Sequence, residues 1–107
     1  MNVGSKQEFI RRKAQENQTT SEGEKVLWSR HGITELVNEG WTRPSVEEGL
    51  QTCEVIEDYP ASRRSLPDCL VLGWVSAGEP FHAVIAIDEA KGRLLVITVY
   101  KPTPEEW

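Results

Sequence analysis

Three strand-length runs follow one another in the second half of the chain: CLVLGWVS, PFHAVIAID and RLLVITVY. Each is rich in β-branched and aromatic residues, and none has a helical period. The connections SAGE and EAKGR are far too short for a crossover, so neighbouring runs must pair antiparallel. An earlier run, CEVIEDY, adds a fourth strand and stops at Pro60. The tail KPTPEEW carries two prolines and cannot join a ladder centrally.

The first half reads as helices. SKQE, Ser5 to Glu8, fits a capping box and predicts a helix over Lys6–Gln18 anchored by Phe9, Ile10 and Ala14. A polar loop, NQTTSEGE, follows. Ser29 then precedes a stripe of Ile33, Leu36 and Val37, with Gly40 as the residue that ends the turn. In RPSVEEGLQT, Ser45 and Glu48 predict a second capping box, with Val46, Gly49 and Leu50 facing inward. Helices first and a meander second predict an α+β domain, with the N-terminal helices on one face of a four-stranded antiparallel sheet. The 107 residues make one domain. Residues 1–27 form an N-terminal helix and loop, and residues 28–107 form the α+β body.

The turns assign the faces. A two-residue loop, Ala77-Gly78, would set Trp74 opposite Phe81 and Gly73 opposite His82. A three-residue loop, Ala90-Lys91-Gly92, with Gly92 left-handed, would set Ile85 opposite Ile97 and His82 opposite Tyr100. The predicted core side is then Leu70, Leu72, Trp74, Phe81, Ala83, Ile85, Ile87, Leu95, Ile97 and Val99. The other side gathers Gly73, His82, Thr98 and Tyr100, ringed by Val71, Val84, Leu94 and Val96. Gly73 would leave a hollow beside the imidazole.

His82 is thus a candidate for proton transfer, with Tyr100 to orient or donate and Thr98 to hold a phosphate oxygen. His31, off the apolar stripe of its helix, is a second imidazole. Arg30, Arg63, Arg64 and Lys101 are candidate cations for a phosphate. Two cysteines, Cys53 and Cys69, form no metal spacing, and the sequence calls for no metal or cofactor. Phosphate-loop, HExxH and GxSxG motifs are absent. The 17 acids against 12 bases argue against general nucleic-acid binding and leave room only for a local basic cleft. No run is apolar enough to span a bilayer, and the unpaired thiols point to a cytoplasmic setting. Asp58 before Ser62-Arg63-Arg64 leaves two readings: solvated charge, the commoner outcome, or an ion pair across a turn.

WSRHG, VEEGL, EVIEDYP, LPDCLVLGW, FHAVIAID and VITVYKPTPEEW occur in order between Trp28 and Trp107. This series resembles a bacterial domain-of-unknown-function family, number 4258. One departure is Gly32, where the family pattern has alanine. The resemblance implies a compact fold akin to RelE-, BrnT- and MqsR-type toxins, some of which are encoded beside a small zinc-finger antitoxin. It also implies that the polar motif positions are His31, His82, Thr98 and Tyr100. Two functions compete. One is a toxin-like, metal-independent endoribonuclease acting on single-stranded RNA. The other is a non-catalytic module that binds a small antitoxin-like protein, or a second copy of itself, through the far side of the sheet.

Overall fold

The computed structural model describes residues 1–19, 24–59 and 65–106. Helix α1 (Val3–Thr19) is followed by strand β1 (Val26–Trp28), helices α2 (Arg30–Glu39) and α3 (Arg43–Gly49), and a 3-10 turn at Leu50–Thr52. Strands β2 (Glu54–Tyr59), β3 (Asp68–Trp74), β4 (Pro80–Asp88) and β5 (Arg93–Tyr100) complete the domain. The sheet order is β1-β5-β4-β3-β2. The expected meander is present, and β1 extends it: Val26 to Trp28 pair in parallel with Leu94 to Val96. The sheet therefore has five strands and is mixed, a correction to the four antiparallel strands predicted. Three residues are too few to show an alternation, which is why β1 escaped the sequence pattern.

Helix starts follow the capping chemistry, with two shifts in position. Ser29 caps α2, its hydroxyl accepting from Gly32 N at 2.9 Å, and Gly40 closes the helix at φ 74°. In α1 the cap is Asn2 rather than Ser5: its Oδ1 accepts from Ser5 N at 2.8 Å. In α3 the cap is Thr42 rather than Ser45, with Pro44 in the first turn. Ser45 instead ties α3 to the β3–β4 hairpin, its hydroxyl accepting from Ser76 N at 2.9 Å.

The predicted β3–β4 register shifts by one residue throughout, and the β4–β5 register shifts only on the turn side of a bulge, each for a local reason. At the β3–β4 turn, Val75 N donates to Glu79 O at 2.9 Å and Gly78 N to Val75 O at 2.8 Å. The loop therefore has three residues, ending at Gly78 with φ 92°, a conformation that favours glycine. Gly73 consequently faces Phe81, and Leu72 faces His82. In β5 the predicted pairing survives at the far end: His82 faces Tyr100, Ala83 faces Val99 and Val84 faces Thr98. Between Val84 and Ile85 the register shifts, so Ile85 faces Val96 and Ile97 is extra. The turn there closes at Asp88 and Arg93 around four residues, with Gly92 left-handed as expected.

These shifts redraw the core. Cys69 and Val71 of β3, Phe81, Ala83, Ile85 and Ile87 of β4, and Leu94, Val96 and Val99 of β5 form one cluster. Phe9, Ile10 and Ala14 of α1, Leu36 of α2, and Val46 and Leu50 of the α3 region cover it. Val71, Leu94 and Val96, expected on the far side, are core; Leu70, Leu72, Trp74 and Leu95 exchange with them. The boundary between residues 27 and 28 falls inside β1, and α1 shares the core of the body.

Two polar anchors fix α1. Lys6, 2% exposed, pairs with Asp58 and donates to Asp68 O at 3.0 Å. Asp58 is thus tied to Lys6, while Arg63 and Arg64 lie outside the described residues. Near the other end of α1, Asn17 Oδ1 accepts from the amides of Lys25 and Val26 at 2.8 and 3.2 Å, docking the start of β1. Asn17 also donates to Glu47, which accepts from Trp28 Nε1 at 2.8 Å.

Two stability predictions follow from this packing. A Cβ at Gly73 would lie 2.5 Å from Cζ of Phe81, a fully buried ring without room to retreat. Gly73→Ala should cost about 1–3 kcal/mol as overpacking, read from the urea midpoint; an unchanged midpoint contradicts the register. For the ion pair, Asp58 retains 26% side-chain exposure, so water can rescue it, whereas the Lys6 ammonium has no such access. Asp58→Ala should therefore destabilise the fold more than Lys6→Met, and the reverse order in chemical denaturation argues against this anchoring.

Candidate functional site

The face opposite the helices is built in rows. Because paired residues in neighbouring strands share a side, Glu54, Leu72, His82 and Tyr100 form one row. Glu57, Leu70, Val84 and Thr98 form the next, and Tyr59, Asp68, Ala86 and Leu95 a third. Trp74, opposite Pro80, lies one row beyond His82. The expected grouping of imidazole, phenol and hydroxyl on one side is present.

His82 and Tyr100 are in contact. Nδ1 of His82 lies 3.3 Å from the Tyr100 hydroxyl, and the rings meet edge to face with centroids 5.4 Å apart. His82 is only 2% exposed, whereas Tyr100 is half-buried and Thr98 likewise. Tyr100 is the more exposed member of the pair.

The hollow expected at Gly73 does not form. Gly73 points to the helix side, where Phe81 fills the space. Its replacement in the site is Trp74, which the one-residue slip moves from the predicted core to the far face, where it is 41% exposed. A three-residue loop in SAGE ending in a left-handed glycine is the turn chemistry that places Trp74 on this face. Tyr59 and Asp68 also belong to this face and were missed. Burial, aided by Glu57, pushes the Tyr59 phenol up from its ordinary pKa.

The second imidazole, His31, is carried by α2. Arg30 and His31 are exposed in the first turn of α2. Ser29 sets that turn against β5, donating its amide to Val96 O at 3.0 Å and its hydroxyl to Ile97 O at 2.8 Å. Gly32 allows the approach, since a Cβ there would lie 2.8 Å from Val96 O. Lys101, expected as a phosphate cation, is engaged by Glu79 at 2.8 Å. That hydrogen bond holds the Glu79 carboxyl below its usual range and raises the Lys101 ammonium.

Among the described residues, no group of three His, Cys, Asp or Glu is placed to hold a metal. No described helix is long and apolar enough to cross a membrane. Cys53 and Cys69 are buried free thiols, each pushed up to about 12 mainly by burial. Both should therefore resist iodoacetamide at pH 8 in the folded protein and react only after unfolding. Prompt labelling of either would show that the core opens.

Comparison with curated proteins and with solved structures finds no match. A family model does match, over residues 28–101, from the strand that opens the mixed sheet to the residue after Tyr100. The matched segment starts at Trp28, the last residue of β1, and contains α2, α3 and all four antiparallel strands, together with His31, His82, Thr98 and Tyr100; α1 lies outside it. The chain belongs to the family described as a domain of unknown function, DUF4258.

Proposed function

We propose that the domain is a toxin-like, metal-independent endoribonuclease that cleaves single-stranded RNA on the face opposite its helices. The observation that carries this reading is the contact between His82 Nδ1 and the Tyr100 hydroxyl at 3.3 Å, with Tyr100 the more exposed partner. With Nδ1 as acceptor, the imidazole can draw the phenolic proton. The Tyr100 oxygen then takes the proton of a ribose 2′-hydroxyl while passing its own to His82. The 2′-oxygen attacks the adjacent phosphorus, the bond to the 5′-oxygen breaks, and that oxygen leaves with a proton from solvent. His82 returns its extra proton to solvent. The products are a 2′,3′-cyclic phosphate and a 5′-hydroxyl. Thr98, two residues along β5 on the same face, is suited to a phosphate oxygen, and Arg30, exposed at the start of α2, is a candidate cation to offset its charge. A RelE-type resemblance would fit this chemistry.

A second reading rests on the 2% exposure of His82. A histidine so deep also suits a shaping role in a non-catalytic module, whose far face would bind a small antitoxin-like protein or a second copy of the chain. Purified protein incubated with single-stranded RNA separates the two. Cleavage is expected with RNA and not with a strand lacking the 2′-hydroxyl. Tyr100→Phe and His82→Ala should each reduce it by about 10²-fold or more, the usual scale of a lost proton-transfer group. Thermal melts check that both variants fold. RNA left intact by the native chain, or cleaved normally by Tyr100→Phe, overturns the nuclease. A concentration-independent dimer mass in light scattering would then favour the module.

A further inference from the structure

We infer that Trp74 is a stacking platform for a nucleobase of the single-stranded RNA, and so a positioning residue for the strand. This rests on the ribonuclease reading for its choice of ligand, though its geometry is independent of the chemistry at Tyr100. Trp74 is the large aromatic side chain that the described sheet leaves most open, 41% exposed. It lies on the same face as His82 and Tyr100, one row beyond them at the end of β3. Core residues flank it on both sides: Gly73 packs on Phe81, and Val75 is 4% exposed. The strand beneath the indole is therefore held rigidly, which suits a platform.

Trp74 also lines a pocket of ≈ 290 Å³ between the end of β3 and the α3 region. Gly49 lines it as well and packs against the Trp74 backbone and the Phe81 ring, where a Cβ would lie 2.3 Å from Trp74 O. Gln51, Thr52, Ser76 and Glu48 border it. The volume is at the small end for ligand pockets, which run from about 300 to 1,000 Å³, and suits one ring system rather than a longer ligand. The charge decides which part of a nucleotide enters. The border carries a carboxylate and no cation, so it repels phosphate, while its amide and hydroxyls match the edges of a base. An indole face with hydrogen-bonding groups beside it accepts a base with little dependence on sequence.

The test is binding rather than cleavage, using the full chain and a mixed-sequence 2′-O-methyl oligoribonucleotide, which lacks the attacking hydroxyl. Fluorescence anisotropy reads the affinity. Trp74→Ala should weaken binding roughly tenfold or more, in keeping with the loss of one base–aromatic stack, and Trp74→Phe should restore most of it. The indole resonance lost in Trp74→Ala should be the one that shifts when the native chain is titrated. Equal affinity of Trp74→Ala and the native chain overturns the platform and leaves the nuclease standing. Trp74-dependent binding without cleavage of ordinary RNA upholds the platform and overturns the nuclease. No binding by the native chain, or a dimer that buries Trp74, likewise overturns the platform, and the cleavage assay then judges the nuclease on its own.

Discussion

One extra residue in β5 decides what the sheet offers on each side. Leu94 and Val96 point into the core, and strict alternation would send Thr98 and Tyr100 after them. Ile97 is the residue that breaks the count, so that Val99 is core and Thr98 and Tyr100 emerge beside His82. The bulge is held by Ser29, whose hydroxyl donates to Ile97 O and at the same time accepts from Gly32 N. A single side chain therefore starts α2, fixes the bulge and sets the face on which the imidazole and phenol meet.

The same point is where the edge of the sheet changes hands. β1 pairs with β5 as far as Val96; beyond it α2 runs alongside, from Ser29 at the bulge to Glu39, which accepts from the amide of Lys101 at 2.9 Å. Strand and helix together cover an edge that would otherwise present unpaired backbone groups. The opposite edge, β2, is met in part by α1: Gln7 Oε1 accepts from Val55 N at 2.9 Å, and Arg11 Nε donates to Cys53 O at 2.8 Å. Although α1 lies outside the matched family segment, it shares the core and both sheet edges depend on its polar side chains. Its burial of Lys6 is tolerable because Asp58 and a backbone carbonyl replace the lost water.

His82 and Tyr100 were legible because their pairing sits beyond the bulge, where the turn-derived count happens to be correct again. Gly73 and Trp74 were exchanged because the β3–β4 loop holds one residue more than the shortest hairpin. A slip of one residue moves every side chain of a strand to the other face. The candidate site thus kept its polar pair, lost its expected hollow and gained an indole.

By itself the sequence determined the order of helices and strands, the caps of α2, the glycines of both hairpins and the histidine facing a tyrosine. These depend on neighbours a few residues apart, through capping, turn geometry and side-chain period. Only the tertiary structure decided the parallel β1, the bulge at Ile97, the burial of His82, and the pairing of Lys6 with Asp58. Each of those depends on segments far apart in the chain meeting across the core. Local propensity is silent about such meetings, because the free energy that selects them arises only when the layers close.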